Sequence, residues 1–128
     1  MKPKAAALLR VAARWRARPF AYGVADCCQF AREVVLEVTG VDHGREWTYG
    51  SEEEAQRIID AHDGLEGLVS RYLGPPCNAG ELEIGDPCLI RAPGFEMLGG
   101  RSGRGAYAPS SRGLVVAVPH RIQQGWNL

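Results

Sequence analysis

The hydrophobic rhythm of this chain changes once, near residue 75, and that change limits the folds open to it. Before it, apolar residues recur at helical spacing. After it, short apolar runs are broken by glycine and proline every few residues, as strands joined by tight turns would be. Residues 3–17 place Leu8, Leu9, Val11, Ala12 and Trp15 on one side of a helix and arginines on the other, with Pro19 as the stop. Asp26 is a good N-cap for a second helix, and Gln29 three residues on completes a capping-box-like pair. Cys27, Phe30, Ala31, Val34 and Val38 then recur at helical spacing, and Gly40 sits where a C-terminal stop belongs. Ser51 caps "EEEAQRIIDAH", whose first-turn acids suit the helix dipole, and a short helix follows over Leu65–Leu73.

The runs "GDPCLIRA" (85–92), "FEMLGG" (95–100), "GAYAP" (105–109) and "GLVVAVP" (113–119) read as strands, with "GGRSGRG" (99–105) as a flexible turn. Helices first and strands after predict an α+β layout with an antiparallel sheet built from 85–119, in one domain over 1–128.

Charge excludes some function classes. The formal net charge is +0, so no overall field draws the chain to nucleic acid or an acidic membrane. The charge is segregated, however. Lys2, Lys4, Arg10, Arg14, Arg16 and Arg18 come with no acid among them, the stretch from Glu33 to Glu66 is strongly acidic, and arginines return after residue 90. The plain expectation is that the basic first helix packs on the acidic middle. The basic stretch lacks interleaved aromatics beyond Trp15, so nucleic-acid binding is not expected. The apolar run Ala5–Leu9 is cut by Arg10, too short for a signal-peptide core or a membrane span. A reducing cytoplasm is therefore the expected place of folding, with Cys27, Cys28, Cys77 and Cys88 as thiols. The cysteine spacings do not pair as zinc ligands do, and no metal or cofactor is expected.

The chemistry concentrates in "FAYGVADCCQF". At the first position of the second helix, Cys27 would meet unpaired backbone N–H groups and the positive end of the dipole, which stabilise a thiolate. Free cysteine is also among the most buried residue types, so position alone leaves a nucleophile and a packing residue both open.

The segment "PFAYGVADCCQFAREVV" resembles the nucleophile region of the NlpC-type papain-like cysteine peptidases. More narrowly, the chain is similar to a phage and gene-transfer-agent branch found among tail-assembly genes. The matches are Pro19–Phe20, Gly23, Asp26–Cys27, Thr39–Gly40, Asp63–Gly64–Leu65, Gly85–Asp86 and Trp126, in order along nearly the whole chain. The resemblance implies a papain-like fold with Cys27 at the nucleophile position. It also implies a histidine two residues before a glycine of the second strand. Against Gly99 that position is Met97, and no histidine occurs from 92 to 100. The oxyanion-binding tyrosine of the family aligns with Phe20, and Cys28 stands for a small serine. Of His43, His62 and His120, only His120, after the last clear strand, is carried forward as a catalytic partner for Cys27; surface or capping roles are the default for all three.

Two functions follow from the resemblance as expectations. The first is a structural component of a phage or phage-like tail tip or baseplate, its active site degenerate, contacting hub, distal tail or tail-fibre proteins. Such a protein would be made in the host cytoplasm and carried in the virion. The alternative is an active cysteine hydrolase that cuts peptidoglycan stem peptides. In the first, the Arg-rich "GGRSGRGAY" hairpin and the N-terminal arginine helix are the expected contact surfaces.

Overall fold

The computed structural model describes residues 2–128. Four helices come first: α1 (Pro3–Trp15), α2 (Cys27–Thr39), α3 (Glu52–Ala61) and α4 (Gly64–Leu73). Six strands follow: β1 (Cys77–Asn78), β2 (Pro87–Ala92), β3 (Phe95–Ser102), β4 (Gly105–Ser110), β5 (Gly113–Ala117) and β6 (Ile122–Gly125). They form one antiparallel sheet in the order β1-β6-β2-β3-β4-β5. The α+β class and antiparallel sheet stand as expected. The sheet is wider than the 85–119 region, because β6 returns from the C-terminal end to lie between β1 and β2.

Side chains alternate across the strands, so the two faces of the sheet bury different sets. Leu89 and Leu98 face the helices and join Cys28, Ala31, Trp47, Leu65, Leu68, Val69 and Trp126. Cys88, Ile90, Ala106, Ala108 and Ile122 line the opposite face. That second face is closed by Ala79, Leu82, Met97 and Ala117. Beside the first cluster, α1 supplies Leu8, Val11 and Trp15 against Phe30 and Val34 of α2. The Trp15 and Phe30 rings meet edge to face with centroids 5.3 Å apart.

The "GGRSGRG" stretch is not a flexible turn. Gly99 to Ser102 belong to β3, Gly105 opens β4, and only Gly103–Arg104 lie between them. The glycines are there for space. A Cβ on Gly100 would come within 2.7 Å of Leu8 Cδ1, under the α1–α2 layer. Arg101 is half-buried and folds along its own hairpin, donating from Nη1 to the carbonyls of Ser102 and Gly105. The expected capping box is half made: the Asp26 carboxylate accepts from Gln29 N at 2.9 Å, but the Gln29 side chain donates to Trp47 O at 2.8 Å. The Asp26, Gly40 and Ser51 caps form as the sequence predicts.

The basic first helix does pair with the acidic middle. Arg14 reaches Glu33 at 3.0 Å and Glu37 at 2.7 Å, while Arg10 reaches Glu37 at 3.3 Å. Arg18 lies 3.8 Å from Glu33 and stacks over the Trp15 ring. At its other end, α1 is tied to the loop before β2, where Lys2 and Lys4 both bond Glu83.

These pairs set an acid limit. Hydrogen bonds from Lys2 and Lys4 pull the Glu83 carboxyl down to about 2 from an ordinary 4.5. A depressed folded value means the stabilisation is complete above pH 4.5 and is lost as pH falls toward 2. Thermal melts between pH 6 and pH 2.5 should therefore show Glu83→Gln losing less stability on acidification than the parent. Equal acid sensitivity of the two would refute this.

Candidate functional site

The residues 20–26 fold into a tight loop in which Ala25 N donates to Ala21 O at 2.7 Å. Gly23 turns the loop with φ +80°, and a Cβ there would lie 1.9 Å from Tyr49 O. Only glycine permits that approach, which brings the 47–50 segment against the loop. Asp26, buried at 3% exposure, fastens the two together. Its carboxylate accepts from Gly23 N at 2.7 Å, from Gln29 N at 2.9 Å and from the Tyr49 hydroxyl at 2.6 Å.

This cap sets the position of Cys27, the first residue of α2 and half-buried. Hydrogen bonding from the Cys28 thiol lowers the Cys27 thiol pKa from its ordinary 9.0, with further help from the Leu98 and Cys27 backbone N–H groups. Burial and the Asp26 carboxylate oppose the shift. The Cys28 thiol moves the other way, raised by the hydrogen bond to Cys27 and by burial. Burial, then Cys28 and Asp26, likewise hold the Tyr49 hydroxyl in its neutral form. The arrangement yields one thiol biased toward the thiolate and a neighbour held protonated.

Cys27 opens on a cavity of about 410 Å³. Asp26, Cys27, Cys28 and Tyr49 line it from the α2 side, α3 contributes Glu52, Ala55, Gln56 and Ile59, and α4 contributes Leu65. Phe20, Tyr22, Phe95, Glu96, Met97 and Pro109 complete the lining. Among the described residues, no histidine, lysine or arginine lines it.

A match to a family of sequences spans residues 2–128, under the description "Domain of unknown function (DUF6950)". The chain belongs to the DUF6950 family. No curated protein matches it.

In this DUF6950 chain the histidines lie elsewhere. His120 is exposed in a short 3₁₀ turn (Pro119–Arg121) between β5 and β6, and does not line the Cys27 cavity. His62 ends α3 with Nδ1 2.8 Å from Ile58 O, a capping contact. His43 borders a different pocket with Trp47 and Tyr72. The resemblance counts its histidine back from a glycine of the second strand, and β3 holds two, Gly99 and Gly100. Gly99 faces Ile90 on the outer side of the sheet, whereas Gly100 lies under Leu8 and Phe30. Two residues before the helix-facing glycine is Leu98, not Met97, and Leu98 packs in the helix-side cluster beside Cys28. Met97 borders the cavity but packs against the outer cluster. Either way the β3 wall facing Cys27 carries no histidine, and its one ionisable side chain on the cavity, Glu96, is paired with Arg91.

Sequence reasoning missed Tyr49, Glu52, Glu96 and Phe95. Tyr49 is 23 residues from Asp26 in an aperiodic segment, so no local signal pairs them. Tyr22, two residues after Phe20, also lines the cavity.

Proposed function

We propose that this protein is a structural component of a phage or phage-like tail tip, built on a papain-like scaffold whose catalytic site is degenerate. One observation carries the reading. The Cys27 thiol stands at the first turn of a helix laid on an antiparallel sheet, as a papain-like nucleophile would, and the cavity it opens on has no histidine in its lining. A thiolate without a histidine beside it can attack a carbonyl, but lacks the imidazolium that protonates the leaving amine in such sites. The likeness to the tail-assembly branch, carried by the matches from Pro19–Phe20 to Trp126 together, supplies the setting, with hub, distal tail or tail-fibre proteins as neighbours. Within this reading Arg10, Arg14, Arg18 and Arg101 already have partners in the same chain, though the first three keep their side chains at the surface.

A second reading, an active hydrolase acting on peptidoglycan stem peptides, is favoured by one feature, the lowered Cys27 thiol. Alkylation and hydrolysis separate the two. The protein should react with iodoacetamide at Cys27 near neutral pH, yet release no peptide from peptidoglycan, and Cys27→Ala should leave particle assembly intact. Thiol-dependent release of stem peptides, abolished by Cys27→Ala, would establish the hydrolase and overturn the proposal.

A further inference from the structure

The Cys27 cavity has a composition that the degenerate-scaffold reading does not explain. Its charged lining residues, Asp26, Glu52 and Glu96, are all acidic. Only Glu96 is paired with a cation, Arg91 at 2.6 Å, while Asp26 is consumed by the α2 cap. The rim is aromatic and stands in solvent: Phe20 is 37% exposed, Tyr22 38% and Phe95 54%. Phe20 and Tyr22 meet edge to face with centroids 4.9 Å apart. A concavity with apolar walls, an aromatic rim and a few polar groups has the composition of a binding site.

We infer that this cavity is a docking site for an arginine or lysine side chain presented by an exposed basic segment of a partner protein. The proposal rests on the reading of the cleft as non-catalytic. Charge and shape select this occupant together. Ring faces at the rim attract a cation, and the aliphatic stem of a basic side chain matches the apolar walls formed by Ala55, Ile59, Leu65 and Pro109. Glu52, exposed on the first turn of α3, receives the charge. The field of the acids already acts on the rim: burial first, then Glu52, raises the Tyr22 hydroxyl pKa. An acidic peptide or a phosphate would meet repulsion from the same groups. A bare amine would leave the aromatic border uncovered, whereas a polypeptide carrying the side chain covers it.

The test uses the whole protein and a fluorescein-labelled Gly-Gly-Arg-Gly-Gly peptide, with the citrulline peptide as a neutral isostere. The arginine peptide should raise anisotropy, slow iodoacetamide alkylation of Cys27, and lose both effects as salt rises above about 0.15 M. Glu52→Gln and Phe95→Ser alter exposed side chains, so both should fold, and each should weaken binding about two- to five-fold. Equal binding of the citrulline peptide, or arginine binding that leaves Cys27 alkylation unchanged, would overturn the inference. Cleavage of the peptide, seen by mass, would instead overturn the non-catalytic reading beneath it. The two failures are thus distinguishable.

Discussion

Replacing Asp86 with alanine should lower the unfolding free energy by about 3–4 kcal/mol, the range for breaking a buried charge pair. Asp86 is fully buried at 0% exposure and receives four donors. Lys4 Nζ lies at 2.8 Å, Glu83 N at 2.8 Å, Leu128 N at 3.0 Å and Asn127 Nδ2 at 3.3 Å. One carboxylate therefore ties the start of α1, the turn before β2 and the segment after β6 to one point. Alanine would leave two backbone N–H groups without their acceptor and a half-buried ammonium with the Leu128 oxygen and one remaining carboxylate partner, Glu83. That remaining partner keeps the loss toward the lower end. Asp86→Asn should recover less than half of it, because its amide nitrogen presents a donor to a ring of donors. Urea unfolding of the three proteins measures this directly. A loss under about 1 kcal/mol for Asp86→Ala would mean that water replaces the carboxylate and the cluster is not a structural tie.

The "GD" at 85–86 shows how far a sequence carries such a site. The dipeptide marks a turn into a strand, and the strand is there as β2. Nothing local says that its aspartate bonds Lys4 and Leu128, 82 and 42 residues away. The same division runs through the whole fold. Helix caps at Asp26, Gly40 and Ser51 were legible because a cap is set by residues within one turn. The β6 strand was not, since "IQQG" has little strand propensity and is held by pairing with β2 on one side and β1 on the other, where Cys88 and Cys77 both meet Gly125. Gly99 and Gly100 read as a turn because glycine is common there. Here they are strand residues pressed against Tyr107 and Leu8, a packing reason with no sequence signature. At the site, Cys27 at the start of α2 was legible from its cap. The cavity was not, because its walls come from five separate segments brought together only by the tertiary fold.

Asp26→Ala should cost about 3 kcal/mol and lower the melting temperature by roughly 10 °C. The reason is that Asp26 does three jobs at once. Loss of the N-cap bond to Gln29 N accounts for about 1 kcal/mol. The rest comes from stranding Gly23 N and the largely buried Tyr49 hydroxyl, each about 1 kcal/mol or more. Asp26→Asn separates structure from charge. Asparagine caps as well as aspartate, and its amide can donate to the Tyr49 oxygen but not accept from Gly23 N, so about half of the stability should return. The negative charge, which in the parent opposes ionisation of Cys27, does not return. Its removal lowers the Cys27 thiol further, so the pH profile of iodoacetamide alkylation should move to lower pH in Asp26→Asn. Tyr49→Phe, which keeps the charge and deletes one donor to it, should not produce that downward displacement. If the Asp26→Asn profile instead moves upward, the cap geometry rather than the carboxylate charge governs the Cys27 thiol. The thiol would then depend on Asp26 for its ionisation as well as for its place.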